Sequence, residues 1–212
     1  MVPGVISLAQ CDALIRHVAQ LGVCGAGSRN LLALPWCRHL ALSIKAHPAI
    51  APLLPTAAVA VQCTLFEKST EKNWAVASHQ DLSIPVRDRI DAPECTGWAF
   101  KEGAHYTQPP AAVLSDVVAI RVHLDACPPG TGPLRLTPGS HQSGRLAAND
   151  IERLRAQYGE IECAAGRGAA LVMRPLLLHA SSRITGSGVR RVLHFLFGPP
   201  TLPHGLHWHT AV

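Results

Sequence analysis

His79, Gln80 and Asp81 stand together in the chain, and His179 and then Arg190 follow about a hundred residues later. Two imidazoles and one carboxylate are the ligand set of a mononuclear non-haem iron(II) centre, in which three protein ligands on one face leave the other face open. A co-substrate and dioxygen can then share the metal. A guanidinium close by would suit a carboxylate, because its planar fork of N–H groups matches the two carboxylate oxygens.

These residues need elements that bring them together. Side chains at i and i+2 of a strand project to the same side, so His79 and Asp81 can reach one ion while Gln80 turns away to contact a neighbour. The third ligand must come from a distant strand. His179 ends the apolar run 169–178, which reads as a buried strand leading to the site. Alone, a His-x-Asp triplet is a weak signal; the downstream His and Arg strengthen it.

The rest of the chain reads as helices followed by strands. Ser7 and Gln10 form a capping box, after which Cys11, Leu14, Ile15, Val18 and Leu21 recur at helical spacing until Gly22. A second helix is expected over residues 30–47, ending before Pro48. From residue 59 onward, short β-branched and aliphatic segments punctuated by Gly and Pro predict strands at 59–66, 117–124, 134–136, 169–179 and 189–197. One exposed helix is expected at 150–158. The glycine-rich stretch 24–30 follows no strand and lacks phosphate-loop spacing, so it reads as a helix-to-helix turn. An alternative reading has Arg29 pointing into the pocket to hold an anionic substrate group.

Length and composition bound the function class. The 212 residues suffice for one domain with a substantial core, divided as helical support over 1–58, a β core over 59–198 and a C-terminal tail over 199–212. No apolar stretch is long enough to span a bilayer, and the first residues lack the basic start and apolar middle of a signal peptide. A cytoplasmic location and no membrane partner are expected. The seven cysteines are scattered, odd in number and without Cys-x-x-Cys, which argues against a disulfide framework or a zinc knuckle. A net charge of +5 and a pI near 9.0 raise the question of nucleic acid. The basic residues are dispersed and aromatics are only 5%, so no nucleic-acid partner is expected; an acidic small molecule explains the excess equally well.

Three segments carry a more specific signal: Asn73-Trp-Ala-Val-Ala-Ser-His-Gln-Asp-Leu82, Gly132-Pro-Leu-Arg-Leu-Thr-Pro-Gly-Ser-His141, and Met173-Arg-Pro-Leu-Leu-Leu-His-Ala-Ser-Ser182 followed by Arg190-Arg-Val-Leu-His-Phe195. In this order, over residues 59–198, the chain resembles the phytanoyl-CoA dioxygenase family. The resemblance implies a mainly β fold with flanking helices around a double-stranded β-helix, the jelly-roll or cupin-like core. It also implies an enzyme that consumes 2-oxoglutarate and dioxygen at iron(II). Residue by residue, His79, Asp81 and His179 match the iron ligands, and Arg190 matches the arginine that holds the far carboxylate of 2-oxoglutarate. Ser181 matches a hydroxyl that assists Arg190, Trp98 a tryptophan lining the co-substrate pocket, and Gln80 the middle residue of the triplet. The implied reaction hydroxylates an aliphatic C–H of a small-molecule metabolite, releasing succinate and carbon dioxide; halogenating relatives lack the carboxylate ligand, which Asp81 supplies here.

Strand alternation adds further candidates. Gln62, Thr64 and Phe66 share a face, with Gln62 the polar candidate for co-substrate or substrate contact, or a glutamine satisfied by backbone. Arg121, His123 and Asp125 share another, where a substrate contact or a buried ion pair would fit, and Arg190 and Arg191 point opposite ways. His141 is expected to fix the Pro-Gly-Ser-His turn by hydrogen bonds, His194 to be a core histidine or, by its even spacing from Arg190, to approach the pocket, and Gly130, Gly132 and Gly139 to serve tight turns. His204, His207 and His209 lie beyond the core. Two other readings keep the β core: a cupin-like isomerase or hydrolase using another divalent metal, and a catalytically silent member that binds a small ligand.

Overall fold

The computed structural model describes residues 1–22 and 27–212. Ser7 caps helix α1 (Leu8–Ala19) through the expected box, its hydroxyl accepting from the Gln10 N–H while the Gln10 side chain accepts from the Ser7 N–H. The second helix is shorter than its expected range. A 3₁₀ turn, Leu31–Ala33, precedes α2 (Pro35–Ala46), because the residue before a proline is pushed out of the helical region. Leu34 is extended accordingly, and Pro35 begins the helix where its missing N–H costs nothing.

The strands are β1 (Gly27–Ser28), β2 (Val59–Lys68), β3 (Val76–His79), β4 (Ile84–Val86), β5 (Thr96–Lys101), β6 (Ala104–Gln108), β7 (Val118–His123), β8 (Leu134–Leu136), β9 (Ile161–Cys163), β10 (Ala170–Met173), β11 (His179–Ser181) and β12 (Arg190–Gly198); short helix α3 (Ala111–Ser115) precedes β7 and α4 (Ala148–Tyr158) precedes β9. They pair antiparallel as β1-β2-β12-β7-β10 and β3-β11-β8-β9. A third sheet, β4-β6-β5, is inserted between β3 and β7. From β2 onward, apart from that insertion, the chain passes back and forth between the two main sheets, and side chains of both line one cavity. This is the double-stranded β-helix.

The apolar run 169–178 is not one strand. It breaks at Arg174 and Pro175, so that β10 belongs to the larger sheet and β11 to the smaller. Proline lacks the N–H a ladder needs, and the turn closes with the Leu177 N–H donating to Arg174 O at 3.0 Å. The break delivers His179 to the smaller sheet, opposite β3.

Alternation sorts the larger sheet into two faces. Cys63 and Leu65 of β2, Ile120 and Val122 of β7, and Leu193, Phe195 and Phe197 of β12 pack outward against Cys11, Leu14 and Val18 of α1 and Leu40 and Ile44 of α2. The helices therefore cover the back of the sheet. Inward, Val61, Ala119, Leu171 and Leu196 join Ile84, Val86 and Trp208 in a second apolar cluster that fills one end of the barrel. A bulge, with Val61 unpaired between Ala60 and Gln62 opposite β12, turns both Val61 and Gln62 inward. Residues 199–212 return to the core instead of trailing from it: Ala60 and Val212 exchange backbone hydrogen bonds of 2.9 and 3.0 Å, and Trp208 is buried.

Gly132 is required by position. Its φ is +69°, and a Cβ there would stand 2.5 Å from Ser182 O, so this glycine serves a close backbone approach as well as a turn. Gly132→Ala is expected to destabilise the fold by more than about 1 kcal/mol, since alanine is strained at positive φ even in open space. Calorimetry should register a Tm lower by roughly 3 °C or more.

The six described cysteines are free, five of them buried; Cys24 lies outside the described residues. Among the described residues, no helix is long and apolar enough to cross a membrane.

Candidate metal centre and co-substrate cavity

The last residue of β3 and the first of β11 are direct partners, His79 opposite His179. Their rings stand 4.3 Å apart, centroid to centroid. Asp81 follows β3 and is fixed by its own N–H, which donates to Pro175 O at 2.9 Å. His79 Nε2 lies 3.7 Å from Asp81 Oδ1, and His179 Nε2 lies 3.6 Å from Asp81 Oδ2. One donor atom from each of the three residues falls within 4.8 Å of the others.

Both rings are oriented by the backbone two residues earlier. His79 Nδ1 donates to Ala77 O and His179 Nδ1 to Leu177 O, each at 2.9 Å. With the proton held at Nδ1, each Nε2 keeps a lone pair facing Asp81, the arrangement that metal-binding histidines use. Burial pushes the His179 imidazole down, away from protonation. Burial works the same way on His79, but hydrogen bonding and attraction to Asp81 outweigh it and leave that ring raised. Burial also opposes ionisation of Asp81, yet attraction to His179 and the contacts with His79 and His194 hold its carboxyl well below the usual range. Two imidazole nitrogens and one ionised oxygen, converging with open space beside them, fit iron(II).

Gln80 turns away from this centre. Its amide donates to Gly144 O at 2.8 Å and Leu176 O at 2.7 Å and accepts from the Leu146 N–H at 2.9 Å. Both amide N–H groups are spent on these carbonyls, the neighbour contact that strand parity predicts, and Gln80 lines a cavity other than that of Arg190.

Beside the ligands opens a cavity lined on the larger sheet by Phe66, Lys68, Arg121 and Arg190 and on the smaller by Val76, Leu134 and Ser181. Lys68, Arg121 and Arg190 are 1%, 6% and 2% exposed. Among the described residues, Asp81 is the one carboxylate in its lining. Burial and then repulsion by Arg190 and Arg121 push the Lys68 ammonium down to about 8, and burial and Arg190 bring Arg121 to about 10. Arg190 donates to Gly132 O, yet its Nε and that of Arg121 are buried without a partner. Buried donors and uncompensated cations are costly; an anion in the cavity satisfies both.

Ser181 sits in this cavity, but its hydroxyl accepts from Lys68 Nζ at 2.9 Å, and Lys68 also donates to Ser182 O at 2.8 Å. The partner expected to be Arg190 is thus Lys68, the register partner of Arg190 across β2 and β12. Lys68 went unnoticed in the sequence although it continues the inward face of Gln62, Thr64 and Phe66. Trp98 is not part of the cavity. It lies in the inserted sheet, half-buried against the second apolar cluster, with the Arg89 guanidinium 5.9 Å from its ring centre. The tryptophan in the lining is Trp74, its ring 5.2 Å from Lys68 Nζ.

A second cavity opens on the other side of Phe66 and Asp81, which line both. Arg29, Gln62, Thr64, Lys101, Gln108 and His194 contribute to its wall. Gln62 therefore stands away from Arg190, donates to Thr64 Oγ1 at 2.7 Å, and presents a buried carbonyl oxygen without a donor. Arg29 lines this cavity while paired to Glu102 at 2.9 Å. Arg191 points away from the site and grips Asp125 with two bonds of 2.8 and 2.9 Å, so the ion pair expected on the Arg121 face is made by Asp125 alone. The turn at His141 is held by Ser140 instead, whose hydroxyl bridges Thr137 O and the Leu178 N–H; His141 Nδ1 is buried and unpartnered. His204, His207 and His209 line neither of these two cavities.

Residues 37–192 match the phytanoyl-CoA dioxygenase (PhyH) family, and the chain belongs to it. The family's enzymes use iron(II), 2-oxoglutarate and dioxygen. Solved structures share the fold. HygX from Streptomyces hygroscopicus, with nickel and 2-oxoglutarate bound, is 19% identical, with a TM-score of 0.62 over 93% of this chain and 81% of its own; it has also been crystallised with hygromycin B. The α-ketoglutarate-dependent epimerase SnoN from nogalamycin biosynthesis is 15% identical, at 0.65 over 96% and 84%. The carbocyclase SnoK from the same biosynthesis is 14% identical, at 0.58 over 96% and 83%. No curated protein matches the sequence.

Proposed function

We propose that this protein is an iron(II)- and 2-oxoglutarate-dependent dioxygenase that hydroxylates an aliphatic C–H of a small-molecule metabolite, with release of succinate and carbon dioxide. The observation that carries this reading is the convergence of His79 Nε2, His179 Nε2 and the Asp81 carboxylate at the edge of a cavity lined by three buried cations. When bound, iron(II) supplies the activation of dioxygen that couples breakdown of the keto acid to oxidation of the substrate.

The chain's own residues do the placing. His79, Asp81 and His179 hold the metal. Arg190 and Lys68 take the far carboxylate of 2-oxoglutarate, and Ser181 steadies the ammonium. Phe66 forms a partition between this cavity and the outer one, where the substrate sits against Gln62 and Thr64 with its reacting carbon toward Asp81. The buried lining keeps bulk water from the reacting atoms. Epimerisation is the second reading, favoured by the shared fold of SnoN, because the same ligands can serve hydrogen removal without hydroxyl return. Product made under ¹⁸O-labelled dioxygen separates them: a label in the product supports hydroxylation, and an unlabelled isomer supports epimerisation.

The first test is anaerobic addition of iron(II) and 2-oxoglutarate, which should produce the weak visible metal-to-ligand band of chelation. Its absence in folded protein would overturn the oxygenase reading. Lys68 adds a pH signature. The ammonium is charged below about 8 and loses its charge above it, so the KM for 2-oxoglutarate should climb as pH rises through that region. Lys68→Met should flatten the climb and raise KM at pH 7 by roughly tenfold, the effect of losing one charge-assisted hydrogen bond.

A further inference from the structure

Arg121 of β7 and His194 of β12 are register partners on the inward face of the larger sheet, both buried, and neither is a metal ligand. Arg121 Nη1 stands 3.1 Å from His194 Nδ1. A guanidinium has only donors to offer, so this contact requires a lone pair on Nδ1, and the ring hydrogen of neutral His194 must sit on Nε2. That nitrogen faces Asp81 Oδ2 at 3.9 Å. The tautomer is opposite to that of His79 and His179, whose Nδ1 atoms donate to carbonyls. His194 thus presents a proton to the carboxylate where the other two present lone pairs to the metal position. Phe66 braces both partners, edge-on to His194 at 5.8 Å and beneath the Arg121 guanidinium at 5.2 Å.

Resting on the iron reading above, we propose that Arg121 and His194 form a positioning relay for the metal-binding carboxylate. Arg121 fixes the tautomer and rotation of His194, and His194 Nε2–H holds one oxygen of Asp81, so that the carboxylate serves the metal through the other oxygen alone. The two atoms stand 3.9 Å apart, so the relay requires the Asp81 carboxyl to turn toward His194 when a metal is held. An unheld carboxylate is free to chelate with both oxygens and occupy a position that the co-substrates need. Partners that orient a ligand in this way are worth about ten- to a hundredfold in metal affinity.

The test uses cobalt(II) as the probe metal on the purified full chain, read by titration calorimetry and by the cobalt visible spectrum, which reports ligand number. His194→Phe keeps the ring and its packing but removes the N–H. Arg121→Met removes the donor that fixes the tautomer. His194→Gln restores a donor at a similar reach. Weakening of cobalt(II) binding by about tenfold or more in the first two, with a changed spectrum, and recovery of the wild-type spectrum in His194→Gln are the expected results. Unchanged affinity and spectrum in His194→Phe or in Arg121→Met, whichever folds, would overturn the relay, as would equal loss in His194→Phe and His194→Gln. If wild type binds no cobalt(II), or His79→Ala binds it as tightly as wild type, the metal centre itself is wrong; that outcome differs from a relay failure, in which wild type binds and His79→Ala does not.

Discussion

Asp81→Ala is expected to abolish succinate formation, lowering it by at least about a thousandfold, while the protein still unfolds within a few degrees of wild type. Both halves of the expectation come from the same geometry. Asp81 is the anionic member of the donor set, its carboxyl kept ionised by His179, His79 and His194, and alanine leaves two of the three ligands that the facial set requires. Losing the metal removes the whole oxidative pathway, so the effect on turnover far exceeds that of any contact to a co-substrate. The side chain is about one-third exposed and carries little packing, and the backbone bond from its N–H to Pro175 O survives in alanine. Succinate measured by chromatography, beside thermal unfolding of the same sample, checks the two halves together. Retained consumption of 2-oxoglutarate would rule out the ligand assignment.

The parts of this site that were legible in the sequence are those set by short-range geometry. A two-residue spacing on a strand places His79 and Asp81 on one side whatever the rest of the chain does, and the same parity sends Gln80 into the loops and splits Arg190 from Arg191. The capping box at Ser7 and the inward row of Gln62, Thr64 and Phe66 are legible for the same reason. What could not be read depends on contacts distant in sequence. The run 169–178 is uniformly apolar because both of its halves are buried, in different sheets, so hydropathy carries no sign of the break at Pro175. Trp74 and Trp98 are equally plausible by composition, and only the insertion of β4 to β6 as a separate sheet moves Trp98 out of the cavity. Lys68 reads as the polar end of a strand until β12 lays Arg190 beside it. A buried cation is improbable one residue at a time; it becomes sensible only when the cavity is seen to need an anion.

That need makes Arg190 the residue with the most selective effect on co-substrate use. Arg190→Met should raise the KM for 2-oxoglutarate by between about thirtyfold and several thousandfold, because truncating one partner of a buried, hydrogen-bonded charge pair costs about 2 to 5 kcal/mol. The loss acts on binding, so turnover at saturating 2-oxoglutarate should fall much less than KM rises. A discriminating measurement uses 2-oxopentanoate, which keeps the keto acid end and lacks the far carboxylate. Wild type should strongly prefer 2-oxoglutarate. In Arg190→Met, with Gly132 O relieved of its donor and Lys68 left as the nearest cation on the paired strand, the preference should shrink toward that of a single ammonium. The double variant Arg190→Met with Lys68→Met should then accept the two keto acids about equally. A preference for 2-oxoglutarate that survived both substitutions would assign the far carboxylate to Arg121, the remaining buried cation of the cavity.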